Sequence, residues 1–213
     1  TSKELAEQVN VQGALYAADF AAKLPSRRLL HVSTCYVAGD RSGPIPEDIE
    51  PLQTPNGQTL DPKQEHELLR TFIQQNSRRT ASRIQVVADH AKARGWPNIY
   101  TYSKALAEHL LWQRDDIALT LARPSIVECA IQAPFSGWNE GINTSAPLSW
   151  LIASYFRDLP AKPDNRFDII PVDTVARGIF QISGAVLQDK AKPIYRLASS
   201  DINPLTFGRT IEL

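Results

Sequence analysis

The chain has 213 residues, with 23 basic and 23 acidic side chains and a formal net charge of zero. That balance leaves no global field to attract nucleic acid, and the length suits one domain with a sizeable core. Two cysteines, Cys35 and Cys129, are too few for a disulfide framework and read as reduced thiols.

Helix periodicity runs from Lys3 to Lys23, with Leu5, Val9, Tyr16 and Phe20 on one face and Gly13 at the intervening turn. Leu29 to Thr34 is a short apolar run tipped by two hydroxyls, Ser33 and Thr34, which predicts a buried parallel strand. Gly39 to Asp61 is rich in Pro, Gly and acids and reads as a loop. Residues 62–95 form a charged helical insertion, with Leu68, Leu69, Phe72 and Ile73 and then Ile84, Val87, Ala88 and Ala91 as its apolar positions. Pro97 and the polar run after it suit a helix start. Ala118 to Pro124 is a second strand.

Ser125 to Asp164 follows, where Leu148, Leu151, Ile152, Tyr155, Phe156 and Leu159 fall at helical spacing. Core packing and an acyl-chain or lipid-facing surface are both open readings of that stripe. It is far shorter than the ~20 apolar residues of a membrane span. Phe167 to Val172 reads as a strand, Asp173 as the cap of a helix bearing Val175, Ile179, Ile182 and Val186, and Ile194 to Ser199 as a last strand. Asp168 reads as a strand residue, and no metal-ligand cluster is visible. His31 and His109 read as structural, and Cys35 as a small buried residue.

Tyr100 and Lys104 are the candidate chemical pair, with a surface tyrosine and lysine on a helix as the other reading of the spacing. Of the six tyrosines, only Tyr100 has a lysine four positions on. On a helix these two share one face, one turn apart. A phenol is a poor acid near neutrality, and an ammonium beside it favours the phenolate and makes it a better proton donor. The hydroxyl-tipped strand precedes the pair and the Arg123-Pro124 strand end follows it. In open α/β sheets ligands bind at the carboxyl ends of strands.

His31-Val-Ser-Thr-Cys-Tyr-Val37, Gly95 to Glu108, Arg123-Pro-Ser-Ile-Val-Glu128, Pro134 to Gly141 and Tyr195 to Pro204 occur in an order that resembles the alcohol-forming fatty acyl-CoA reductases. Asn10-Val-Gln-Gly13 also resembles that family's Asn-Val-x-Gly. The resemblance implies a Rossmann-like, doubly wound parallel sheet of the extended short-chain dehydrogenase/reductase type. It implies NADPH as cofactor and fatty acyl-CoA as substrate, with release of the aldehyde or a second reduction to the alcohol both open. An acyl-carrier protein is the alternative substrate carrier, as in a thioester reductase domain. A lipid-binding or assembly remnant without catalysis is the reading from a different class.

By that resemblance Tyr100 is the proton donor, and Lys104 also binds the nicotinamide ribose. Thr34 is the preferred strand-end hydroxyl, since Ser33 points to the opposite face. Ser33, Pro124, Ser125, Ile126 and Val127 line the cofactor. Arg123 reads as a ligand contact or an ion pair, and Trp138 and Glu140 as a substrate mouth or a packed loop. A cytoplasmic location, with peripheral membrane contact open, is the expectation. No two glycines are separated by one residue, so the dinucleotide-binding Gly-x-Gly turn is absent. With no methionine and a helical pattern opening at Thr1, residues 1–213 are expected to be the catalytic and substrate-binding part of a longer polypeptide that carries the first strands.

Overall fold

A computed structural model describes residues 6–48, 53–75, 81–141, 147, 150, 154 and 161–212. The chain divides into two compact units, Thr1–Ala122 with Ala191–Tyr195, and Arg123–Lys190 with Arg196–Leu213.

The first unit opens with a π-helical segment, Ala6–Gln12, that runs into helix α1, Gly13–Lys23. The face that carries Val9 in the π-helical segment and Tyr16 and Phe20 in α1 is not the buried face. Those three are 59%, 64% and 65% exposed, while Val11, Ala14, Ala18 and Ala21 are buried. The buried stripe is small because α1 lies close against Ala107 and Leu111 of the helix that carries Tyr100. A hydrophobic pattern marks bulk, whereas close helix packing selects small side chains.

Strand β1, Arg28–Val32, leads into a 3-10 turn, Cys35–Ala38. The predicted insertion resolves into two helices, α2, Pro62–Gln75, and α3, Ala81–Ala93. Asp61 caps α2, its carboxylate accepting from the amides of Lys63 and Gln64 at 2.9 and 3.2 Å. Helix α4, Ile99–Trp112, starts at Asn98, whose side chain accepts from the Thr101 amide at 2.9 Å. Strand β2, Ala118–Pro124, pairs in parallel with β1, from Arg28 opposite Ala118 to Val32 opposite Ala122. Parallel pairing requires a crossover, and residues 33–117 supply it with the helices between. The sheet order is β1-β2-β5, where β5 is Ile194–Leu197.

The insertion is not merely a solvated appendage. Leu69, Val87 and Ala91 join Trp96, Tyr102 and Leu106 in one buried cluster. Charges elsewhere on α2 and α3 hid this in the sequence.

The second unit holds a strand that the apolar pattern did not separate from β2. Strand β3, Ile126–Glu128, pairs in parallel with β4, Ile169–Pro171. Helix α5, Val172–Leu187, follows at once, and α6, Phe207–Glu212, ends the described chain. Phe167 and Phe207 stack with centroids 4.9 Å apart. Asp173 does not cap α5 from outside. Pro171 occupies the N-cap position, and Asp173 in the first turn accepts from the amides of Ile131, Gln132 and Ala133 at 3.0–3.3 Å. A carboxylate at a helix start serves equally well as the anchor of a neighbouring loop. Of the apolar stripe at Leu148–Leu159, the residues Leu148, Leu151, Ile152, Tyr155, Phe156 and Leu159 lie outside the described set.

Gly39 closes the turn after β1 at φ 65°. A Cβ there would collide with the Gly95 carbonyl oxygen and the Pro55 ring. That carbonyl also accepts from the Asp40 amide at 2.9 Å. Gly39→Ala is expected to destabilise the fold by at least about 1–3 kcal/mol, from left-handed backbone strain plus the collision. Urea unfolding of parent and variant measures it, and an unchanged midpoint would contradict this packing.

Candidate active site

Helix α4 is buried from Thr101 to Ser103 and from Ala105 to Leu111. Between its ends only Tyr100 and Lys104 break the cover, because they share the i, i+4 edge that faces outward near the carboxyl end of β1. Tyr100 is 43% exposed. Its hydroxyl is hydrogen-bonded to the Thr34 side chain. Thr34 also accepts from the Tyr36 amide at 3.3 Å, which fixes its rotamer as it starts the 3-10 turn. Lys104 Nζ donates to the Val32 carbonyl at 3.2 Å, the last residue of β1. The structure thus brings Thr34, Tyr100 and Lys104 together around one strand end.

The electrostatics differ from the expectation that Lys104 makes the phenol a stronger acid. Burial pushes the Tyr100 phenol above its ordinary value, and the Thr34 hydrogen bond opposes that shift. The ammonium is anchored on Val32, and its charge does not dominate at Tyr100. Burial also pulls Lys104 below its ordinary value, while Glu108 one turn further on favours the charged form. Glu108 is buried and completes an i, i+4, i+8 row with Tyr100 and Lys104. That spacing was readable in the sequence, and the role was missed because a glutamate in a helix usually reads as a solvated charge.

A second missed link is Asn10. Its side-chain amide donates to Ser103 Oγ at 3.0 Å, and Ser103 Oγ donates to the Tyr100 carbonyl at 3.0 Å. The π-helical segment that carries Asn10 turns it toward α4. The Asn-Val-x-Gly pattern flagged this residue without revealing its partner.

Ser33 is buried on the other face of the strand end, and its amide donates to the Ala122 carbonyl at 2.8 Å. Its hydroxyl has no hydrogen-bond partner among the described residues. Pro124, Ser125, Ile126 and Val127 belong to the second unit. There the Ser125 amide donates to Leu197 and the Ile126 amide to Asp168, at 2.9 and 3.1 Å. The Ser125 hydroxyl is buried and lacks a partner among the described residues. Arg123 is buried and partnered. Trp138 closes a loop by accepting from the Ala130 amide at 3.0 Å, while Glu140 is exposed.

The sequence matches the family described as Male sterility protein, named for NAD binding, over residues 2–179. The chain belongs to that family. Fatty acyl-CoA reductase 1 of Arabidopsis thaliana is 33% identical over 94% of this chain and 43% of its own length. The alcohol-forming fatty acyl-CoA reductase of Simmondsia chinensis is 32% identical over 96% of this chain and 44% of its own. Fatty acyl-CoA reductase 2 of Homo sapiens is 38% identical over 54% of this chain. The chain therefore spans less than half the length of the two plant relatives. Among solved structures, the terminal R domain from the myxalamid PKS-NRPS biosynthetic pathway shares the fold, with a TM-score of 0.63 at 19% identity over 97% of this chain and 41% of its own. These matches establish the parallel α/β reductase fold and the nicotinamide-cofactor family.

His31 sits on β1 two residues before Ser33. Burial first, and then the charge of Lys104, push its imidazole down to about 4. An unfolded chain would titrate this histidine near the ordinary value of 6.5. Below that pH the unfolded state binds a proton that the native state refuses. Stability should fall as pH drops from about 6.5 toward about 4, by up to about 3 kcal/mol for this shift. His31→Gln removes that component. Urea unfolding at pH 7 and pH 5 should show a smaller acid-induced loss in the variant than in the parent, and equal losses would place the effect elsewhere.

Proposed function

We propose that this chain forms the catalytic part of an NADPH-dependent reductase that acts on fatty acyl thioesters carried on coenzyme A. The observation that carries the reading is the Tyr100 hydroxyl bonded to Thr34, beside Lys104 at the carboxyl end of β1, in a chain of the male sterility family. The names of the plant and human relatives favour an acyl-CoA over a carrier-bound acyl chain.

Residues present fit a nicotinamide cofactor. In the first unit, the buried Ser33 hydroxyl is available to a polar ligand, and Tyr100 and Lys104 offer donors that suit a ribose. When bound, the nicotinamide supplies the hydride. The remaining work falls to the protein. Reduction of a thioester carbonyl places negative charge on its oxygen, and that charge needs preorganised donors away from bulk water. Tyr100 donates the proton there, and the raised phenol stays protonated until the oxyanion develops. Thr34 orients the phenol and bonds to it as charge builds. Lys104 is held by Val32, with Glu108 opposing the burial that lowers it, and it offers its ammonium on the same helix edge as the phenolate left behind. Collapse of the resulting hemithioacetal breaks the C–S bond and releases coenzyme A as its thiol together with the aldehyde, and with a second hydride from a second cofactor the same donor set would take the aldehyde to the alcohol.

Tyr100→Phe removes one hydroxyl and keeps the ring. Acyl-CoA reduction by the full natural polypeptide should fall by at least ~100-fold, the usual contribution of a general acid. Thr34→Val should lose more single-turnover rate than Ser33→Ala, since Thr34 is the hydroxyl bonded to Tyr100. A phenylalanine variant with near-parent kcat would sink the acid assignment, and the reverse order of the two hydroxyl variants would move the donor role to Ser33.

Residues 1–213 contain no closely spaced glycine pair to cradle a pyrophosphate. NADPH should bind this stretch alone at least about tenfold more weakly than it binds a longer natural polypeptide, a difference of about 1.4 kcal/mol. Fluorescence titration of both proteins checks this, and equal affinities would place the whole cofactor site within residues 1–213.

A further inference from the structure

Three side chains, His90 and Arg94 one turn apart and Tyr102 of α4, converge on one oxygen of Glu65 in helix α2, and Arg94 Nε also donates to His90 Nε2 at 3.1 Å. His90 Nε2 lies 2.5 Å from Oε1, the Tyr102 hydroxyl donates at 2.8 Å, and Arg94 Nε lies at 2.9 Å. The Glu65 side chain is only 5% exposed. Burial works to raise its carboxyl, but bonds from His90 and Tyr102 and the charges of His90 and Arg94 outweigh it and hold Glu65 below its ordinary value. Burial and the adjacent carboxylate push the Tyr102 phenol far up, so it remains a donor.

The placement of Tyr102 is what gives this cluster a consequence for chemistry. It lies two residues after Tyr100 and two before Lys104, so it leaves α4 on the side away from them. The insertion therefore grips the back of the helix whose front carries the reacting groups. The grip extends to the other donor. Trp96 packs on Tyr102 with centroids 5.5 Å apart, and its indole N–H donates to the Val37 carbonyl at 2.9 Å. Val37 belongs to the 3-10 turn that begins at Thr34. The next residue of α2, His66, is 2.9 Å from Glu7 in the π-helical segment that also carries Asn10.

We propose that Glu65 is a positioning residue of the active site: through Tyr102 it fixes the rotation and axial placement of α4, and so the placement of Tyr100 and Lys104 against Thr34. This rests on the reductase reading above. A contact that only stabilises the fold would lower activity in proportion to lost stability. A positioning contact breaks that proportion, because displacing reacting groups by about 1 Å can cost about 100-fold in rate.

The test compares Tyr102→Phe, Glu65→Gln and Tyr100→Phe in the full natural polypeptide. Each is read by kcat and KM for acyl-CoA reduction, well below the melting temperature, and by a thermal melt. Tyr102→Phe removes one hydroxyl and leaves Glu65 paired with His90 and Arg94. It should melt close to the parent, lose about tenfold or more in kcat, and change KM by less than about twofold, the pattern of an interaction that matters only in the transition state. Glu65→Gln leaves an oxygen for Tyr102 but no charge for His90 and Arg94. It should lose more thermal stability than Tyr102→Phe yet retain more kcat. Parent-like kcat in Tyr102→Phe, or a kcat order that follows the melting order, overturns the positioning role, and the first of these decides even if Glu65→Gln fails to fold. Near-parent kcat in Tyr100→Phe would instead overturn the acid assignment, and this proposal with it.

Discussion

The first unit depends on how completely helix α4 is enclosed. Ten of its fourteen residues are buried, and apart from the end residues Ile99 and Trp112 only Tyr100 and Lys104 reach the surface. A helix packed on nearly all sides cannot rotate without breaking its core, because protein interiors are dense and their side chains interdigitate. The alanines of α1, the cluster around Leu69, Val87 and Trp96, and the β1-β2 pair each take part of its circumference. The open strip is the remainder, and it falls at the strand end where Thr34 waits.

The enclosure is partly polar, and this sets its character. Hydrophobic burial is non-directional, so it can hold a helix against a sheet while leaving small rotations cheap. The bonds from Tyr102 to Glu65 and from Asn10 through Ser103 to the Tyr100 carbonyl are directional and fix an angle. Buried charges such as Glu65 with Arg94 add little net stability, because desolvation offsets attraction. Breaking one partner is costly, since the other stays buried and unpaired.

In the second unit a carboxylate does comparable work on a loop. Asp173 collects the amides of Ile131, Gln132 and Ala133, together with its own neighbour Thr174 at 3.1 Å. Those backbone bonds hold its carboxyl below the ordinary range. The loop it anchors is closed by the Gly137 amide donating to the Ala130 carbonyl at 2.8 Å, and it displays Ile131 and Phe135 to solvent. Loop position is thus set by the first turn of α5 rather than by the loop's own apolar residues.

Much of this was legible in the sequence. Apolar runs located β1 and β2 because buried parallel strands need uninterrupted apolar residues, and the Tyr100/Lys104 spacing determined a shared helix edge because helical geometry is local. The order of motifs was enough to indicate the reductase family. The rest arises from contacts between residues far apart in sequence. The outward turn of Tyr16 and Phe20, the burial of Glu65 within a charged insertion, and the reach of Asp173 to Ile131–Ala133 each depend on what a neighbouring element offers. The acidity of Tyr100 is of the same kind. Spacing predicted a lysine beside it, but only tertiary burial decided that desolvation, opposed by Thr34, governs the phenol, because desolvation depends on the whole surrounding volume rather than on one neighbour.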